Sequence, residues 1–158
     1  MLKRKLRYAL VVSLLAMPLF GQTEQYGTPV TADVAKKVAA AAIAEAKKNN
    51  FTMAIAVVDP NGFLVYFEKM DNTQNGSVNV ALDKARSAAL FKRPTKVFQD
   101  ALAAGGEGLR LLALQGAVPV DGGLPLIVGG KIIGAVGASG GTSVQDGQVA
   151  KAGSDAVK

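Results

Sequence analysis

The chain has 158 residues, 49% hydrophobic and 19% charged, which suits one domain around one core and excludes a disordered chain. The formal charge of +6 includes Lys3, Arg4, Lys5 and Arg7, and without them 14 Lys and Arg stand against 12 Asp and Glu, or +2. With no basic stripe carrying interleaved aromatics, a nucleic-acid partner is excluded.

Residues 1–21 form a targeting pattern. A basic start is followed by the apolar run YALVVSLLAMPLF at 8–20, and Gly21 supplies a small residue at the exit. The run is shorter than the roughly 20 residues that a bilayer span needs, so a cleaved signal peptide is expected rather than an uncleaved tether. Without a cysteine, no lipobox anchor is available. The expected product is exported, periplasmic or extracellular, with no stable membrane insertion after cleavage. Residues 22–30 are expected as a flexible lead-in, and 31–158 as the domain.

Within 28–50, Thr31 is placed to cap a helix that carries Val34, Val38, Ala41 and Ala42 on one face, with Lys47 and Lys48 in its last turn. Residues 51–70 are two β-rich runs about Asp59-Pro60-Asn61-Gly62, which predicts a hairpin. A helix begins near Ser77 with Ala81, Ala85, Ala88 and Ala89 suited to close packing on a sheet. Pro94 breaks it, and Thr95 is placed to cap a shorter helix through Gln99 to Ala103. Residues 109–120 fit either a short helix or a strand. A second hairpin over 122–139 turns at Gly129-Gly130, and a terminal helix follows with Thr142 and Gln145 at capping-box spacing. Two hairpins flanked by helices predict one three-layer α/β/α domain of the α+β class, with about five antiparallel strands.

Residues 137–141, GASGG, match the G-x-S-x-G elbow of a serine nucleophile. Ser139 has no histidine to act as its base, because the chain contains none. Lys84 and Lys131 are the Ser-Lys alternatives, but no S-x-x-K motif includes Ser139. The glycines are better read as permitting close helix approach and a tight turn. Their G-x-x-G-x-x-G-G spacing gives weak support to a dinucleotide or phosphate loop, and leaves open an anion at the terminal helix N-terminus. The absence of histidine and cysteine also excludes Ser-His-Asp and Cys-His catalysis and histidine-held zinc or haem. The carboxylates Asp59, Glu68, Asp71, Asp83, Asp100, Glu107, Asp121 and Asp146 form no ligand cluster in sequence, and most are expected in solvent or in turns. The stretch DKARSAALFKRPT at 83–95 places Lys84, Arg86, Lys92 and Arg93 around a tightly packed helix. These cations are read either as a solvated face or as an anion-binding rim beside Thr95.

Together, KARSAALFKRPT, GGLPLIVGGKIIGAVGASGG and DGQVAKAG resemble the GlcG/HbpS family, related to the C-terminal domain of PduO, over about Thr31 to Val157. The resemblance implies a profilin-like α/β/α fold and homo-oligomers such as tetramers or octamers. It further implies haem or a related tetrapyrrole as a small-molecule ligand and cofactor, with Thr95 matching an iron-contacting threonine and serving as the metal contact. Because relatives' histidines have no counterpart here, the haem expected is loosely held. Arg86 or Arg93 would hold a propionate and Thr95 or Tyr66 would offer a weak oxygen ligand, with Met53 and Met70 the only thioethers outside 1–21. The site set is therefore Thr95, Arg93, Arg86, Lys84 and Ser139, with no catalytic residue. The leading expectation is an exported, oligomeric small-molecule-binding protein. The alternative is an enzyme or accessory factor in haem degradation or glycolate/diol metabolism, with Lys84 and Arg93 holding an anion; a ligand-free structural subunit is the third reading.

Overall fold

A computed structural model describes residues 24–157. The expected signal peptide at 1–21, positions 22–23 and Lys158 lie outside the described residues. In chain order the elements are β1 (Gln25–Tyr26), α1 (Ala32–Lys48), β2 (Ala54–Val58), β3 (Leu64–Lys69), α2 (Ser77–Leu90) and α3 (Thr95–Ala103). A 3-10 helix (Gly106–Ala113), β4 (Gly123–Val128), β5 (Lys131–Ser139) and α4 (Ser143–Asp155) complete the fold.

The nine-residue β5 organises the sheet. β4 runs antiparallel along one side of it, and β2 runs antiparallel on the other and carries β3 beyond. β1 pairs with Lys131 and Ile132, the start of β5, in parallel. The sheet is therefore mixed, which corrects the expected purely antiparallel arrangement. Of the segment expected to be flexible, residues 24–30 are tied down. Gly27 N–H donates to Ile132 O at 2.8 Å and Val30 N–H to Ile133 O at 2.7 Å, while the Tyr26 hydroxyl donates to Ala89 O at 3.0 Å.

Strand alternation divides the core between the two faces. Ile55, Val57, Val136 and Ala138 point toward α1 and α4, joining Val38, Ala42, Ile43, Val149 and Ala150. Ala54, Ala56, Val58 and Ala135 point the other way, onto Ala81, Ala85, Ala88 and Ala89 of α2. The expected three layers are present. Thr31 caps α1 and Thr142 with Gln145 forms the capping box of α4. Pro94, not Thr95, stands at the cap position of α3, and Thr95 is its first helical residue.

Candidate functional site

The alanine stripe of α2 brings that helix very close to the sheet. Gly123 and Gly137 are cross-strand partners, and α2 lies directly over both: a Cβ on Gly137 would come within 2.6 Å of Ala85 N, and one on Gly123 would collide with Lys84 O. This approach carries Lys84, on the same face as Ala81, Ala85 and Ala88, into the interior. Its ammonium donates to Asp146 Oδ2 at 2.6 Å and to Ala138 O at 3.2 Å. Asp146, near the start of α4, accepts in turn from Gly141 N–H at 2.9 Å. The two side chains are 1% and 5% exposed, so this is a desolvated ion pair.

The pair joins helices from opposite faces of the sheet by passing around the entry to β4. There Gly122 has φ +118°, and a Cβ on it would lie 2.7 Å from Ala138 O and 3.0 Å from Lys84 Nζ. Burial pushes the Asp146 carboxyl above its ordinary value, against the opposing pull of the Lys84 ammonium and the Gly141 and Gly140 N–H groups. Asp146 is the exception to the expectation of solvated carboxylates. It was legible as such: Asp146, Val149, Ala150 and Gly153 follow the spacing of one inward helix face.

Thr95 closes the same corner. It is fully buried, and its Oγ1 accepts from Gly123 N–H at 2.9 Å. Lys84 and Thr95 are thus brought together around Gly122–Gly123, but each polar group is turned into the protein. Ser139, next to the Ala138 carbonyl that Lys84 reaches, is 3% exposed and its hydroxyl donates to Ser77 Oγ at 3.2 Å. Among the described residues no lysine hydrogen-bonds to Ser139, so the elbow has a neighbouring hydroxyl where a base would be needed.

The two arginines belong to a different surface. Arg86 is exposed on α2 and its Nε donates to Gly62 O at 3.1 Å in the β2–β3 turn. Arg93 is exposed after α2, with Nε donating to Phe91 O at 3.0 Å and the guanidinium 5.7 Å from the Phe98 ring centroid. Between them Lys92 sits 4.3 Å over the Tyr26 ring. Leu90, 48% exposed, lies beside Gly62, the residue before the 68%-exposed Phe63. Among the described residues, none of Arg86, Lys92 and Arg93 has a carboxylate within ion-pair distance. The C-terminal end of α2 therefore carries Arg86 and Lys92 near exposed Leu90, with Arg93 following against Phe98. Elsewhere, a depression of about 330 Å³ is lined by Lys47, Glu68, Lys69, Met70 and Asp71. Tyr66 donates to Glu68 at 3.2 Å, and that carboxylate raises the tyrosine pKa. No described helix is long and apolar enough to cross a membrane.

Residues 30–155 match the family described as "Haem degrading protein HbpS-like". Protein GlcG of Escherichia coli K12 is 38% identical over 106 residues, covering 67% of this chain and 78% of GlcG. The crystal structure of Klebsiella pneumoniae protein ORFY is similar with a TM-score of 0.76 and 33% identity, over 89% of this chain and 97% of ORFY. The crystal structure of a PduOC–haem complex aligns with a TM-score of 0.74 over 83% of this chain and 96% of that one. At 24% identity it supports the fold alone.

Proposed function

The chain belongs to the HbpS-like family, and from that membership we propose an exported, self-associating protein that binds haem or a related tetrapyrrole. The observation that carries the reading is the α2 C-terminal surface, where Arg86 and Lys92 lie near exposed Leu90 and Phe63 and Arg93 follows against the Phe98 ring. A tetrapyrrole offers an apolar ring and carboxylate edges. The leucine and aromatic groups suit the ring, and cations without acidic partners suit carboxylates, arginine best because its fork matches them in two bonds.

The residues fit the periphery of haem better than its iron. The chain has no histidine or cysteine. Thr95 is buried with its hydroxyl accepting from Gly123, Met53 is fully buried and Tyr66 is bonded to Glu68. Bound haem would supply redox and ligand-binding chemistry; the protein's part is to hold the ring edge and its carboxylates, with Thr95 shaping the backbone behind that surface. Export rests on residues 1–21, whose pattern is that of a signal peptide. The family description favours haem degradation as the second reading, in which Arg93 remains an available anion holder whereas Lys84 is enclosed by Asp146.

Titration of the exported chain with haemin tests both readings. A saturable Soret shift is expected, and Arg86→Ala with Arg93→Ala should weaken it by about tenfold or more, the scale of one lost charge-assisted hydrogen bond. Thr95→Ser should titrate like the wild type. Absence of saturation in the wild type overturns haem as the ligand. Conversion to a biliverdin-like spectrum with a reductant moves degradation ahead of simple binding.

A further inference from the structure

Among the described residues, three other than glycine lie in the left-handed region: Asn50 at φ +56°, Asn72 at +61° and Lys92 at +55°. Asparagine tolerates that region through its short polar side chain, whereas a lysine there carries the steric cost of its Cβ. Lys92 follows Phe91, the C-cap of α2, and the turn is a Schellman motif. Arg93 N–H donates to Ala88 O at 3.3 Å and Lys92 N–H to Ala89 O at 3.4 Å. Glycine is the usual residue at the place that Lys92 holds in this motif. Backbone strain of this kind marks functional positions.

Service to the helix dipole does not account for it. A cation near the last turn acts from any exposed position, and exposed Arg93, outside the left-handed region, already supplies one. The last four carbonyls of α2 are also engaged. Phe91 N–H donates to Ser87 O at 3.1 Å, the Schellman bonds take Ala88 and Ala89, and the Tyr26 hydroxyl is shared between Ala89 O at 3.0 Å and Leu90 O at 3.2 Å. The negative end of the helix is thereby damped against an approaching anion. The same tyrosine seats the lysine, whose Nζ lies 4.3 Å over the anchored ring. The ring face takes one side of the ammonium and leaves its other donors for a ligand.

We propose that Lys92 is a specificity-determining residue of the α2 surface: its ammonium, set on Tyr26 by the left-handed turn, binds a carboxylate of the ligand and selects a tetrapyrrole with free carboxylates over an uncharged one. The assignment rests on the ligand reading above and gives one part of it to one side chain.

Substitutions at Lys92 separate the backbone from the charge. Lys92→Gly removes both the strain and the ammonium, Lys92→Ala removes the ammonium alone, and Lys92→Arg keeps a cation over the ring. Thermal unfolding should place the glycine variant above the alanine variant. In haemin titrations followed at the Soret band, both should bind about tenfold more weakly than the wild type, the scale of one lost charge-assisted hydrogen bond. The arginine variant should recover the affinity. Haemin dimethyl ester, whose carboxylates are capped, should bind to all four proteins alike. A glycine variant that binds haemin as the wild type does overturns the role of Lys92 and leaves haem binding standing. So does an equal loss for haemin and its ester, since the ester offers the ammonium no charge. A wild type that never saturates with haemin overturns both readings.

Discussion

Lys84 and Asp146 each occupy an inward helix position whose neighbours are alanine, valine or glycine. A desolvated charge is tolerable there only because the other is 2.6 Å away and backbone groups satisfy both. Removal of one partner strands the other, so Asp146→Leu and Lys84→Met should each destabilise by about 3–5 kcal/mol. The double change Lys84→Met with Asp146→Leu should recover much of that loss, because no charge remains buried. Urea unfolding of the four proteins checks the coupling; single losses that simply add in the double variant would contradict it. Periodicity alone makes both residues legible as inward-facing. Their meeting is not, since 62 positions separate them. Thr95 shows the same limit: its helix-start position was readable, but its hydroxyl serves Gly123 on another element.

At the scale of elements, the close packing of α2 rests on absent side chains. Gly137→Ala would drive a Cβ into the α2 backbone at Ala81 and Ala85, with an expected loss of about 1–3 kcal/mol or more. Gly76→Ala is the control, with open space around it; thermal unfolding that ranks the two equally would contradict the packing account. On the other face, Gln148 of α4 and Asn49 after α1 both donate to Glu45 Oε1, at 2.6 and 2.9 Å. These bonds favour the carboxylate and hold Glu45 below its ordinary 4.5. A depressed carboxyl pKa stabilises the fold above the unfolded value, and that contribution disappears as pH falls through the folded one. Gln148→Ala should therefore move the Glu45 titration upward toward 4.5, as followed by NMR of its side-chain carboxyl. The helices, both hairpins and the alanine face of α2 were legible because each is written in local periodicity and turn residues. The parallel β1 was not: two residues, Gln25 and Tyr26, carry no strand pattern, and their pairing depends on β5, more than a hundred positions away.

At the scale of the whole molecule, the sequence by itself determined the three-layer class, the two hairpins and the family, because alternation, glycine turns and alanine spacing are local and survive translation along the chain. It also fixed what chemistry is missing, since a residue type absent from the chain is absent from every fold of it. Only the tertiary structure decided which ionisable groups are enclosed and which face solvent. It turned Lys84 inward to Asp146, left Arg86 and Arg93 outside, and set the leucines of the 3-10 helix on an uncovered surface. Burial depends on what a distant segment brings alongside, and the free energy of a charge changes by several kcal/mol with that surrounding. Residues that look alike along the chain, such as Lys84 and Arg86, therefore acquire opposite roles once the layers close.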